Sequence, residues 1–299
     1  MISVTRPVDS PAGATCPFNR LDYARSLRHV GAAQAHPVRP LVLLRRPIGT
    51  TGRHDGISPW PYLWLEDGDV DALRSHFDDL VAIPVVAQPG YVPPAGVDHV
   101  LLKHHFVYDP ALPTPPLSPR AHRRLEACAR RACFERVVDR EARMAIAGLY
   151  AGLAARRGLV GGFFDMGADH FAVLADLTDS VFVRVRAGER VGAMACGVVF
   201  GGMLQILHTV PSQDGLTWNA SYLLMHGLQA MARAEGLRLF LGGLPDGAAA
   251  GLDVFKSRWT NARVPVHLIR IVNDPAAYAA LAGTAATRGY FPAYRDPKP

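Results

Sequence analysis

A chain of 299 residues, 49% hydrophobic and 19% charged, is globular in composition and long enough for two ordinary domains, which excludes a disordered or fibrous protein. Its formal charge of +6 permits an anionic partner, such as a nucleic acid or a phosphorylated substrate, without requiring one. The four cysteines (Cys16, Cys128, Cys133 and Cys196) make no CxxC pair, no apolar h-region opens the chain, and no run of about 18 apolar residues occurs; a disulfide scaffold, a secretory leader and a membrane span are therefore not expected, and a cytoplasmic protein is.

Residues 1–37 are rich in Pro, Gly, Ala and Arg and carry little periodicity. The apolar run in RPLVLLRRP (39–47), bounded by prolines, predicts a strand, and YLWLE within GISPWPYLWLEDGD (56–69) is strand-like. Apolar residues at 70, 73, 77, 80 and 81 predict a helix over 69–81. IPVVAQP and DHVLLKHHFVYDP predict strands. Ser118 as N-cap and Pro119 at the first position predict a helix to about 132. REARMAIAGLYAGLAARRGLV predicts a second helix closed by Gly158, and DHFAVLADLT a third. AGER and GG divide the block 181–210 into three strands joined by tight turns. A long helix follows, with Asn219 and Ser221 as cap candidates and Gly236 at its end. The strand LRLFLGG runs into a glycine-rich loop, then come the short segment GLDVFKSRW (251–259), the strand VPVHLIRIV and a helical tail.

From 139 onward this order is a three-strand meander, a crossover helix and further strands, which makes a mixed sheet with helices on its faces. The block from RVGAMACGVVF through NASYLLMHGLQAMARAEG and LRLFLGG to GLDVFKSRW resembles the GNAT-fold acyltransferases, and most of all their Fem-type branch, the aminoacyl-tRNA-dependent peptidyl transferases. GLDVFKSRW is similar to that branch's Gly-Leu-x-x-Phe-Lys segment, and LSPRAHRRLEACARR to its lead-in helix. The resemblance covers roughly 117–272; before it, only GISPWPYLWLEDGD matches, at a Pro-Tyr strand of a degenerate first lobe. It implies an α/β (α+β) protein of two GNAT-like lobes, 1–116 and 117–299. Each is a mixed, mostly antiparallel sheet flanked by helices, with a cleft between them. The long coiled-coil arm of some cell-wall members has no counterpart here.

In the resembling branch the lysine of this segment lies near the junction of donor and acceptor, which makes Lys256 the first catalytic candidate. An ammonium there can neutralise a phosphate, a carboxylate or an acyl-transfer oxyanion; a solvated surface lysine is the plain alternative. Phe255 and Trp259, at i and i+4, share a helical face, either as core anchors or as a wall for a substrate ring. Arg258, Gly242 and Gly243 join them as substrate-site candidates. Asn219, Tyr222, Trp60 and Tyr62 do so on the resemblance. Arg120, Arg123, Arg124 and Arg131 make a cationic stripe opposite Ala121, Leu125, Cys128 and Ala132, a solvated face or a nucleic-acid contact. His208 is the candidate base, with Asp165, Asp169 and His170 as others, although a lone histidine after an apolar strand is more often structural.

CoA-dependent relatives carry a [RQ]-x-x-G-x-[GA] loop before the crossover helix, where backbone N–H groups hold the pyrophosphate. Counted from Gln213, Leu216 and Trp218 stand at the glycine positions, so that loop is absent. No G-x-S-x-G elbow occurs, and the adjacent histidines of KHHF point to opposite faces of a strand, so neither a serine acyl-enzyme nor a metal site is expected. The sequence expectation is an N-acyltransferase without a permanent cofactor. It passes an aminoacyl group from aminoacyl-tRNA to an amine of a small molecule or peptide, and acts as a monomer or weak dimer. Acyl-CoA as donor and a non-catalytic GNAT-like binding module are the alternatives.

Overall fold

The computed structural model describes residues 13–159, 161–244, 250–283 and 289–296; the glycine-rich loop expected after LRLFLGG lies largely outside them. In chain order the elements are α1 (Leu21–Arg25), β1 (Ala32–Ala35), β2 (Val42–Pro47), β3 (His54–Ile57), α2 (Asp69–His76), β4 (Ala82–Val86) and β5 (His99–Tyr108). Then follow α3 (Pro119–Ala129), β6 (Cys133–Arg136), α4 (Arg140–Arg157), α5 (Ala168–Asp176), β7 (Ser180–Ala187), β8 (Arg190–Phe200) and β9 (Met203–Pro211). The last are α6 (Gln213–Thr217), α7 (Ala220–Ala234), β10 (Arg238–Phe240), α8 (Ala250–Arg258), β11 (Ala262–Val272) and α9 (Pro275–Ala282). No helix among the described residues is long and apolar enough to cross a membrane.

The chain divides into a central unit, His104–Val264, and a flanking unit, Thr15–Lys103 with the segment from Pro265 onward. The division falls at 103/104 and again at 264/265, where the resemblance implies a single boundary at 116/117. Both breaks lie inside long strands, β5 and β11, whose alternation runs on without a turn signal, so composition does not mark them.

In the central unit β6, β7, β8 and β9 form an antiparallel run; turns at Gly188 and at Gly201–Gly202 join the last three, and α4 and α5 lead from β6 to β7. β10 lies parallel to β9 and antiparallel to the end of β5. α3 and α7 cover one face, closing a core of Leu125, Cys128, Val183, Ala195, Leu204, Leu224 and Leu228. α4 and α5 cover the other, where Tyr150 and Phe171 pack on His208 of β9. A bulge at the β8–β9 pairing, where Cys196 faces His208 and Gly197 faces Ile206, lets His208 and Ile206 serve opposite faces.

Local signals account for the helix ends. Ser118 Oγ accepts from Ala121 N at 3.3 Å, Asp139 Oδ1 accepts from Ala142 N at 2.8 Å, and Gly158 closes α4 in the left-handed region at φ 65°. α3 ends at Ala129 rather than 132, because the chain turns back to enter β6, and Arg131 therefore lies off the helix. α2 ends at His76: Phe77 leaves helical geometry, and Phe77, Leu80 and Val81 bury from a turn instead.

The flanking unit holds the antiparallel sheet β1–β2–β3 and the antiparallel pair β4–β11. YLWLE does not become a strand. Leu63 makes one isolated bridge to Ala87, while Trp64 N donates to Asn19 Oδ1 and Leu65 N to Gln88 Oε1. Side chains satisfy this backbone in place of a ladder. Asp55, wholly buried, is held by Arg46 Nε at 2.9 Å and by Arg295 Nε at 2.9 Å. Asp55→Ala leaves two largely buried guanidiniums unpaired and is expected to cost about 3 kcal/mol, read as a lower denaturant midpoint. A midpoint unchanged from wild type contradicts this account of the unit.

Candidate functional site

The parallel pairing of β10 with β9 lasts only from Arg238↔Met203 to Phe240↔Gln205. β9 continues to Pro211, while the chain after Phe240 turns its hydrogen bonds to β5: Leu241 N donates to Phe106 O at 2.9 Å, and Phe106 N to Gly242 O at 3.1 Å. From Ile206 on, β9 has no strand beside it on that side among the described residues. An unpaired strand edge is a template for another extended backbone. Gln205 sits at the fork. Its Nε2 donates to Ile206 O at 2.9 Å and to Phe240 O at 3.4 Å, and its buried Oε1 has no partner among the described residues.

Lys256 reaches the same strand end. Its Nζ donates to Leu241 O at 2.8 Å and Gly243 O at 2.6 Å, and lies 5.5 Å from the Phe106 ring centroid. Gly242, between those carbonyls, has φ +71°, a left-handed geometry that favours glycine, and a side chain there would point toward Nζ. Both glycines singled out in the sequence thus shape the seat of the ammonium. The two carbonyls orient the ammonium. Sequence reasoning missed Phe106 and Arg263. The Arg263 guanidinium stacks 3.3 Å from the Phe106 centroid and also reaches Ser257 Oγ and Asp253. Their partnership joins β5 to the start of β11, which no local pattern encodes.

Arg258 turns to the other side of α8. Its Nη1 donates to Tyr222 Oη at 3.0 Å, and Arg124 Nη1 donates to the same oxygen at 2.9 Å. Phe255 and Trp259 pack around that tyrosine, with ring centroids 6.0 and 5.9 Å from it. Trp259 is 1% exposed and its carbonyl accepts from Gln229 Nε2, so it anchors α8 in the core; Phe255 is half-buried against the same cluster. Arg120 and Arg123 are exposed on α3, as is Arg131 beyond it. Trp60 and Tyr62 belong to the flanking unit, where Tyr62 is buried against Phe18 and burial pushes its phenol well up.

The stretch 212–219 folds into the short helix α6, which sequence reading leaves as a loop. Ser212 Oγ accepts from Gly215 N at 3.0 Å. Gly215 lies so close to β8 that a Cβ on it would meet Gly192 O at 1.7 Å, and a Cβ on Gly192 would meet the Trp218 ring at 2.2 Å. Trp218, 8% exposed, is packed onto β8 where a phosphate-binding loop would need open backbone. Asn219 takes the left-handed cap position of α7 at φ 59° without a side-chain cap bond.

His208, the candidate base, is 5% exposed. Its Nε2 lies 3.1 Å from His170 Nε2, and Tyr150 and Phe171 pack on its ring. Burial, with His170 adding to it, pushes the imidazole well below its ordinary value, so it stands as a neutral core residue on the α4–α5 face and not as a base open to substrate. The other acids considered stay at the surface of that face. Asp165 Oδ2 accepts from Gly161 N and borders a hollow of about 430 Å³ lined by Ala147, Gly148, Ala151 and Ala168. Among the described residues no group of three or more His, Cys, Asp or Glu side chains is placed to hold a metal.

A histidine kept neutral by folding takes up a proton on unfolding once the pH is below the free value, near 6.5. Stability is therefore complete above that pH and declines as the pH falls below it, by up to about 1.4 kcal/mol per pH unit for one extra proton bound by the unfolded chain. In thermal melts, His208→Gln is expected to lessen the fall in Tm between pH 6.5 and 5; an equal slope in both proteins removes His208 from the account.

No protein-family model and no curated protein matches the sequence. Solved structures do. FemX superposes with a TM-score of 0.61 at 12% identity, covering 92% of this chain and 96% of that one. The C-terminal domain (DUF2156) of a putative lysylphosphatidylglycerol synthetase from Agrobacterium fabrum superposes at 0.58 and 15% identity, covering 89% and 91%. L-PGS from Bacillus licheniformis does so at 0.51 and 13%, covering 83% and 85%. At such identities the likeness concerns the fold, and the fold is the Fem-type, GNAT-like one.

Proposed function

We propose that this protein is an N-acyltransferase that passes an aminoacyl group from aminoacyl-tRNA to an amine of a small molecule or peptide. The observation that carries the reading is the Lys256 ammonium, seated on Leu241 O and Gly243 O where β10 leaves β9. The ester of a charged tRNA is already activated, so a site that positions donor and amine supplies most of what the reaction needs. The unpaired edge of β9 offers hydrogen bonds to an extended acyl or peptidyl segment, and a fixed ammonium stabilises the oxyanion that forms as the amine attacks. No permanent cofactor enters this scheme. FemX and the two synthetase structures share the fold, which agrees with transfer chemistry of this class.

Acyl-CoA as donor is the second reading, supported by the start of α7, which has no side-chain cap bond, and opposed by the Trp218–Gly192 seam that fills the place of the pyrophosphate loop. Incubation with mixed charged tRNAs and, separately, with acyl-CoAs, following deacylation of each in the presence of amines, separates the two. Loss of the aminoacyl ester is expected, and loss of the thioester alone reverses the order. Calorimetric titration with CoA is expected to give no tight binding; a CoA whose pyrophosphate lies on the amides of 212–220 promotes the second reading.

Lys256→Met is expected to lower transfer by about 100- to 1,000-fold. Because the ammonium also ties two backbone carbonyls, the same change should lower stability by about 1.5–3 kcal/mol, read in the melting curve. A variant that melts earlier yet turns over normally leaves Lys256 as a latch on the strand end and removes it from the transfer step.

A further inference from the structure

Two guanidiniums, from helices far apart in sequence, meet at one phenol oxygen. Arg124 of α3 and Arg258 of α8 each donate through Nη1 to Tyr222 Oη, at 2.9 and 3.0 Å, which brings like charges closer than about 6 Å. Both guanidinium carbons also lie within cation–π reach of the Tyr222 ring, at 5.6 and 5.5 Å from its centroid. Among the described residues no carboxylate joins either arginine. Elsewhere in the molecule arginines find acids: Arg184 and Arg186 share Glu135, Arg46 and Arg295 share Asp55, and Arg140 pairs with Asp176. The Arg124–Arg258 pair is the same arrangement with its anion missing.

We propose that Arg124, Arg258 and Tyr222 form a clamp for one phosphodiester of an RNA backbone. This rests on the reading of tRNA as donor. Each guanidinium uses one nitrogen on the phenol and keeps further N–H groups for an oxyanion, in the planar fork that suits phosphate. Tyr222 Oη accepts both contacts and has its own proton left to donate. The ring is 8% exposed and packed between Phe255 and Trp259, so the oxygen between the two forks is fixed before any ligand arrives. The clamp is set in a basic row and not in a closed pocket. Arg120 and Arg123 lie exposed on the preceding turn of α3, and Arg130 and Arg131 follow its end. A succession of cations along one helix suits a chain of phosphates better than a single one.

The test is binding of uncharged tRNA, by filter retention at several salt concentrations, to wild type, R124Q, R258Q and the double variant. Uncharged tRNA needs no transfer, so a failed clamp and a failed acyltransferase give different results. Because both arginines hold one phosphate, either single variant is expected to lower the slope of log K against log salt by about one, and the double variant by little more. The melting temperature should hold or rise as the repulsion is relieved, whereas a fall in both singles marks a structural tie. Unchanged affinity and slope in the double variant overturn the proposal. So does unchanged tRNA binding with lost retention on vesicles of phosphatidylglycerol, which assigns the clamp to a lipid surface. A slope reduced by two in the double variant overturns the single-phosphate geometry.

Discussion

Three residues of parallel pairing, β10 against β9, decide how the centre of this sheet is built. Were the pairing longer, the sheet would be closed and its backbone groups spent on one another. Because β10 breaks away after Phe240 and gives its next hydrogen bonds to β5, the edge of β9 is left open, and the departing strand needs another tie. Lys256 provides it through two carbonyls, so one side chain holds the parting in shape and sets a positive charge beside it. Gly242 is the conformational condition of this arrangement, and α8, pinned by Trp259, delivers the lysine. One side chain thus ties the parting and, on the proposed reading, serves the transfer there.

The same economy runs through the face above. α7 presents Tyr222 between α3 and α8, and three aromatic rings fix the oxygen on which two arginines converge. The opposite face is different in kind. There His170 and His208 meet inside an aromatic cluster, and burial holds the His208 imidazole well below its ordinary value.

Much of the fold was legible because its signals are local. The turns at Gly188 and Gly201–Gly202, the cap Ser118 and the stop at Gly158 each act within a few residues, and those elements appear where the pattern puts them. YLWLE was misleading because Asn19 and Gln88, distant in sequence, took the hydrogen bonds of its backbone. The boundaries between units were invisible because they fall within strands. At the site, Lys256, Gly242 and Gly243 were found through resemblance, and the meeting of the first with the other two is a matter of tertiary path. Arg124 and Arg258 were each noticed, for separate reasons; nothing in either neighbourhood announces that they share Tyr222. His208 was weighed as a base against a structural histidine, and its burial favours the second; its face, after a β-bulge, cannot be counted by simple alternation.

The seam between α6 and β8 has a consequence for how this protein can change. Trp218 fills the space over Gly192, and Gly215 lies against the backbone of the same strand. Replacing Trp218 by glycine, the residue a pyrophosphate loop asks for, would first open a hole under α7 at a cost of about 3–5 kcal/mol, comparable with the whole margin of stability of many domains. Room for a pyrophosphate at this place is therefore limited by packing, and a lineage carrying this tryptophan gains it only with further changes to the core.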